Sequence, residues 1–357
     1  MADPQELFSR WPRADTPALT MATLRASPED FVVEEQMPYV LAGAGEHLWV
    51  KLRKRGYNSE QVAKQLARTA GVTRREVGYA GMKDRHAITV QWFSLHLAAR
   101  PDPDWNALPD GMTVLESTRH SRKLKTGALA GNRFMIVLRD CHGDRDALQR
   151  RCEALHTQGV PNYFGEQRFG HGGANIAAAR AMFAGNASPR DRKQVGIYLS
   201  AARSLIFNEV LARRVADGTW NQARIGDAMA LNGSRSFFVP EDIDDAIRQR
   251  LAENDIHPSG PLWGRKEIPT KFAIHELESA VASEQADLAH GLEAAGLEQE
   301  RRALRVIPQE FGAQWLDTAA LSLTFVLPPG SYATMVLREL ADYRVAASAA
   351  AWGEEPV

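Results

Sequence analysis

Cysteine is scarce. Cys141 and Cys152 are the only two in 357 residues, which excludes a disulfide-stapled scaffold and points to a reducing compartment, the cytoplasm. Long apolar runs are absent too: nothing approaches the roughly 18–20 residues that a membrane span needs. The stretch Met1 to Arg10 carries Asp3 and Glu6 and has no apolar segment after a basic start, so no secretory leader and no membrane partner are expected. The ten histidines form no HExxH, two cysteines cannot build a common zinc site, and GxxxxGK[ST] does not occur. No metal and no P-loop nucleotide are expected.

What is present is ordinary in bulk, with 44% hydrophobic and 24% charged residues. That is enough apolar material for about two domains. The net charge of −1 hides a segregation: Lys51 to Arg139 holds 17 Lys and Arg against 7 Asp and Glu. Within it, Ser117 to Arg139 carries Arg119, Arg122, Lys123, Lys125, Arg133 and Arg139 without one acid. A solvated basic face is the commoner meaning of such a run, and a polyanion-binding face is the other.

The first third reads as strands: Phe31 to Glu35 after the turn-rich Ala26 to Asp30, and His47 to Arg53 with a basic outer face. Gly43-x-Gly45 between them reads as a hairpin turn, because a Rossmann phosphate loop would need a helix after it. Asn58 to Ala70 reads as a helix capped by Asn58 or Ser59, with Val62, Leu66 and Ala70 on one stripe. From Gly159 the pattern turns helical: Ala174 to Arg214 with a break at Gly185 to Pro189, Asp242 to Asn254, and the acidic Leu277 to Leu304. A β-type run, Ala320 to Leu327, precedes a closing helix from Tyr332 to Tyr343, and Ala346 to Val357 reads as a frayed tail.

Three segments could carry chemistry. Gly78 to Leu95, GYAGMKDRHAITVQWFSL, places Asp84 between Lys83 and Arg85 behind Gly81. In extended backbone an acid there points one way and its basic neighbours the other. A surface ion-pair cluster would look the same. Asn132 with Phe134 offers a hydrogen-bonding group and a stacking face, or simply a turn and a core ring. Gly159 to Gly170, GVPNYFGEQRFG, holds paired aromatics, glycines and Arg168, and alone it reads as a structured loop.

Together these segments resemble the TruD family of tRNA pseudouridine synthases. The likeness runs through SPEDF at Ser27–Phe31, AGMKDRHAITVQW at Ala80–Trp92 and RHSRKLKTGALAGNRF at Arg119–Phe134. It continues in VPNYFGEQRFG at Val160–Gly170, LSAARSLIFN at Leu199–Asn208 and LPPGSYATMVLREL at Leu327–Leu340. It covers the chain from about Ala22 to Tyr343.

The resemblance implies an α+β fold. A catalytic core with a mixed, largely antiparallel sheet (1–158 and 308–345) would be interrupted by a helix-rich TRUD domain (159–307), with 346–357 as a disordered tail. It implies isomerisation of uridine 13 of tRNA, notably glutamate tRNA, without a cofactor. Asp84 matches the catalytic aspartate, and the reaction breaks the bond from ribose C1′ to uracil N1 and rejoins C1′ to C5. Adducts at C1′ or at C6 and a glycal-like route all need an ionised carboxylate with a basic partner. Arg25 is the candidate partner and Lys83 the alternative. Phe31, Asn132 and Phe325 match substrate-binding positions, Phe134 a stacking position. Arg119, Arg122, Lys123 and Lys125 would contact phosphates, which set register without reading sequence. A monomer with no obligate protein partner is expected. A non-catalytic tRNA-binding or folding module shares these features, and an S-adenosylmethionine-dependent RNA methyltransferase is a remoter reading.

Overall fold

The structure, a computed structural model, describes residues 10–83, 85 and 87–347. Its contacts divide the chain into two compact units. One comprises residues 18–148, 309–330 and 341–357; the other comprises 1–17, 149–308 and 331–340. The fold is α+β with a mixed sheet.

The first unit is built on a ten-stranded sheet. Its central path runs Gln309–Trp315, Leu321–Leu327, Gly131–Gly143, Phe31–Gln36, Ile88–His96, His47–Lys54, Met112–His120. Phe31–Gln36 lies parallel to Ile88–His96, and Leu19–Leu24 lies parallel to Ala341–Val345; the other ladders are antiparallel. The 13-residue strand Gly131–Gly143 organises the sheet. One edge pairs with Leu321–Leu327, while the other pairs first with Phe31–Gln36 and then with Leu19–Leu24.

Between those two short strands the chain must step aside. It does so at Arg25, whose φ is 60°, and through the one-turn helix Pro28–Asp30. Ser27 and Asp30 cap that turn reciprocally: Ser27 N–H donates to Asp30 Oδ2 at 3.0 Å. Asp30 is buried and also accepts from Arg139 at 2.7 Å. The SPED sequence therefore fixes where Phe31 enters the sheet.

Opposed residues of a ladder share a face. The pairs Phe31–Ile136, Val33–Phe134, Glu35–Asn132, Phe134–Phe325 and Val33–Thr89 put all of these residues on one side. Further along that side lie Gln91, Phe93 and Leu95, opposite Leu52, Val50 and Leu48. The helix Ser59–Thr69 covers this half with Val62, Ala63, Leu66 and Ala67. Asn58 caps it as expected: its side chain accepts from Gln61 N–H at 2.9 Å.

Several expectations need correction. Phe31–Gln36 and His47–Lys54 do not form a hairpin, because Ile88–His96 lies between them. Gly45 is required by packing: a Cβ there would sit 2.4 Å from the backbone of His120. The outer face of His47–Lys54 is not simply solvated, since Trp49 is enclosed by Ala80, Trp92 and Leu124, and Lys54 is buried with Nζ on Tyr57 O at 2.6 Å.

The second unit packs around the helix Arg192–Ala216, capped by Asp191. By length and composition this helix could cross a membrane, but half of its apolar window is buried within the unit. The helices Ala174–Phe183, Phe272–Glu284 and Ala286–Ala294 lie against it. Gly291 permits the approach of Phe183, whose ring would be 2.2 Å from a Cβ there. The acidic stretch Leu277 to Leu304 is not one helix. Gly296, at φ 83°, ends the helical part, and Glu300–Ala303 pairs instead with Ile256–Leu262 in a four-stranded sheet. The closing helix is likewise shorter than its pattern suggests: it spans Ala333–Leu340, and Ala341–Val345 is a strand because Leu19–Leu24 offers it an edge.

Candidate active site

Val77–Tyr79 and Ile88–His96 are antiparallel neighbours, and the GMKDRHA sequence forms the loop joining them. Asp84 lies outside the described residues, as does His86. The backbone leading to Asp84 is fastened at successive positions. Gly127 N–H donates to Ala80 O at 2.8 Å. Gln91 Nε2 donates to Gly81 O at 2.6 Å. Lys83 N–H donates to Ser59 Oγ at 2.8 Å, and that hydroxyl donates in turn to Gln91 Oε1 at 2.7 Å. Ser59 and Gln91 are fully enclosed, so the anchors belong to the sheet and its covering helix.

The Lys83 side chain turns inward as well. Its ammonium lies 2.7 Å from Glu35 Oε1. Glu35 also accepts from Trp92 N–H at 3.0 Å and from Gln91 Nε2 at 3.2 Å. Burial pushes the Glu35 carboxyl above its ordinary range, and the Lys83 charge and the donated hydrogen bonds only partly offset this.

Across the same face runs a ladder of rings. The Arg25 guanidinium sits over Phe31 at 4.4 Å. Phe31 meets Phe134 edge-on at 6.4 Å, Phe134 stacks on Phe325 at 5.4 Å, and Phe325 stacks on Phe311 at 6.1 Å. Phe31 and Phe134 keep a thin exposed margin, while Phe325 is wholly enclosed behind Phe134. Asn132 stands opposite Glu35 in the ladder. Its Oδ1 is buried and takes no hydrogen bond among the described residues, and neither does Thr89 Oγ1. Unpaired buried oxygens on a face that is otherwise apolar mark a place for a polar ligand.

The basic residues separate into two groups. Arg119 is a strap: it donates to Asp102 at 3.0 Å, to Ala98 O at 3.1 Å and to Arg100 O at 2.9 Å. Arg122, Lys123 and Lys125 are exposed on a loop pinned by the buried Leu124, whose N–H donates to Ser94 Oγ at 2.9 Å, and by Arg122 O, which accepts from Trp49 Nε1 at 2.8 Å. Lys123 Nζ reaches Arg75 O at 2.5 Å. Gly78 allows this loop to lie close, since a Cβ there would be 2.4 Å from Leu124 O. Sequence reasoning overlooked Glu35, Ser59 and Gln91. Polar residues at alternate positions of an apolar strand, as Thr89 and Gln91 are, were the available signal.

Comparison with known proteins decides the family. The model for tRNA pseudouridine synthase D (TruD) matches residues 14–188 and 188–340. The chain belongs to the TruD family. Its relative from Hydrogenovibrio crunogenus, named tRNA pseudouridine synthase D, is 49% identical over 325 residues, which is 91% of this chain and 94% of that one. The relative of the same name from Methylococcus capsulatus is 48% identical over 337 residues, 94% of this chain and 95% of that one. A solved Methanosarcina mazei structure described under the TruD name is similar in fold, with a TM-score of 0.72 at 22% identity over 95% of this chain and 98% of that one. The family makes this chain a tRNA pseudouridine synthase, an isomerase acting on RNA.

Proposed function

We propose that this TruD-family chain isomerises uridine 13 of tRNA, glutamate tRNA foremost, with Asp84 as the nucleophile and no added cofactor. The observation that carries this reading is the fastening of Ala80, Gly81 and Lys83 by Gly127, Gln91 and Ser59. A carboxylate that must meet one atom of a nucleotide needs backbone that does not wander.

The neighbouring face supplies what an extruded uridine would need. Unstacking it costs a few kcal/mol, and an aromatic platform returns about 1–3 kcal/mol per base. Phe134 is our candidate platform, with Phe31 at its edge and Phe325 behind it. Asn132 would hydrogen-bond the uracil edge, Arg25 would hold the Asp84 charge, and Lys83 would act from behind the loop through Glu35. Arg119, Arg122, Lys123 and Lys125 would meet phosphates. In this reading residues 1–158 and 308–345 form the catalytic domain, 159–307 the TRUD insertion and 346–357 a disordered tail. The enzyme would act as a monomer in the cytoplasm, where the buried thiols of Cys141 and Cys152 stay reduced.

The test is tritium release from tRNA carrying 5-tritiated uridine, with no cofactor added. Asp84→Asn should bind tRNA and release nothing; undiminished release would remove Asp84 from the mechanism. Mapping the product uridine fixes the position, and a site other than 13 would correct that part alone.

A further inference from the structure

The loop Val160 to Gly170 is held within the helical unit by a two-sided grip: Phe164 N–H donates to Asn208 Oδ1 at 2.9 Å, and Asn208 Nδ2 donates to Phe164 O at 3.0 Å. The Phe164 ring fixed in this way carries two guanidinium groups. Arg302 lies 4.1 Å from its centroid and Arg168 5.6 Å. Arg302 is aimed by Asn162, whose Oδ1 accepts from it at 2.6 Å. Arg168 is aimed by Tyr332 OH at 3.2 Å and Ser200 Oγ at 2.9 Å. Tyr332 is brought in because residue 165 is glycine; a Cβ there would stand 2.6 Å from its ring.

This arrangement is costly without a ligand. Arg168 is half-buried, and its side-chain hydrogen-bond partners among the described residues are two neutral hydroxyls. They occupy two of its five N–H donors, and each hydroxyl keeps a proton of its own to donate. Arg302 has its pKa pushed down to about 10, chiefly by burial and further by the charge of Arg168. Two like charges sharing one aromatic ring, with hydroxyls at hand and spare donors, suit a tetrahedral anion.

We propose that Arg168 and Arg302, set on Phe164 and completed by Ser200 and Tyr332, form a binding site for one phosphodiester of the RNA substrate. The proposal rests on the chain acting on tRNA. It assigns to the helical unit a contact that fixes register and takes no part in the isomerisation. A plain structural brace for the loop would use the same hydrogen bonds but would not respond to salt.

The experiment compares tRNA binding by the full chain and by Arg168→Gln across a range of KCl concentrations. One lost phosphate contact lowers the slope of log affinity against log salt by about 0.7–0.9. We expect that loss of slope, about a 3–10-fold weaker Kd, and kcat unchanged at saturating tRNA. Inorganic phosphate at matched ionic strength should compete poorly with tRNA. If it displaces tRNA from the wild type alone while the two slopes agree, the site belongs to a free anion and the proposal falls. Should Arg168→Gln not fold, Arg168→Lys is used with ethylation interference on tRNA phosphates. Weakened interference at one cluster of phosphates supports the site, and a wild-type pattern overturns it. A wild-type chain that binds no tRNA would remove the functional reading as well, whereas normal wild-type turnover with an unaltered Arg168→Gln slope removes this site only.

Discussion

The Lys83 ammonium lies 2.7 Å from the Glu35 carboxylate, with 11% of one side chain and none of the other exposed. The pair joins the residue next to Asp84 to the middle of the sheet. Breaking a buried pair by removing one partner costs about 3–5 kcal/mol, because the other charge is stranded. Glu35→Gln should therefore lose stability on that scale in urea unfolding and lower kcat more than it raises KM. Glu35→Gln with Lys83→Met should regain much of the stability but not the rate. Wild-type kcat in the double variant would show that the pair serves the fold alone.

Asn132 should behave in the opposite way. Its buried Oδ1 has no partner among the described residues, so removing it takes away a desolvated group worth about 1–3 kcal/mol. We expect Asn132→Ala to unfold within about 1 kcal/mol of the wild type while pseudouridine formation falls by about 2 orders of magnitude, the scale of a lost polar contact to a reacting group. Thermal melts and single-turnover rates check the two halves separately.

Gly78 tests the loop packing. With Leu124 O 2.4 Å from a Cβ and both strands paired, Gly78→Ala must move backbone. A loss of about 1–3 kcal/mol is expected, together with weaker tRNA binding as the loop bearing Arg122, Lys123 and Lys125 is displaced. Unchanged melting and binding would count against the close approach.

His257 should make stability depend on pH. It is buried in the helical unit, and its Nδ1 accepts from Arg305 Nε at 2.9 Å. Burial first, and the Arg305 charge second, push its pKa down from 6.5 to about 4. As pH falls below 6.5 the unfolded chain takes the proton before the folded one does. The stabilisation is therefore full above pH 6.5 and is lost as pH drops toward 4, a change of about 3 kcal/mol. His257→Gln should flatten this dependence in urea midpoints measured at neutral and acid pH.

Much of the sheet was legible because burial writes a period of two into strands such as Leu321–Leu327, and the Asn58 cap announced its helix. What escaped depended on partners distant in sequence. Glu300–Ala303 is a strand only because Ile256–Leu262 offers an edge, and no local signal separates it from the acidic helix before it. The likeness around Asp84 marked the candidate site, but its support by Ser59, Gln91 and Glu35 was not visible. Those residues converge from a helix and two strands that local patterns cannot bring together.

The parallel pairing of Leu19–Leu24 with Ala341–Val345 bears on how the protein is made. A strand emerging early from the ribosome must wait for one of the last segments before its outer edge is covered. Contacts of such long sequence separation form slowly, and an uncovered edge meanwhile invites pairing with other chains. Cells producing this protein quickly should thus accumulate nascent species prone to clumping, and chaperone supply should govern their yield more than the stability of the finished molecule does.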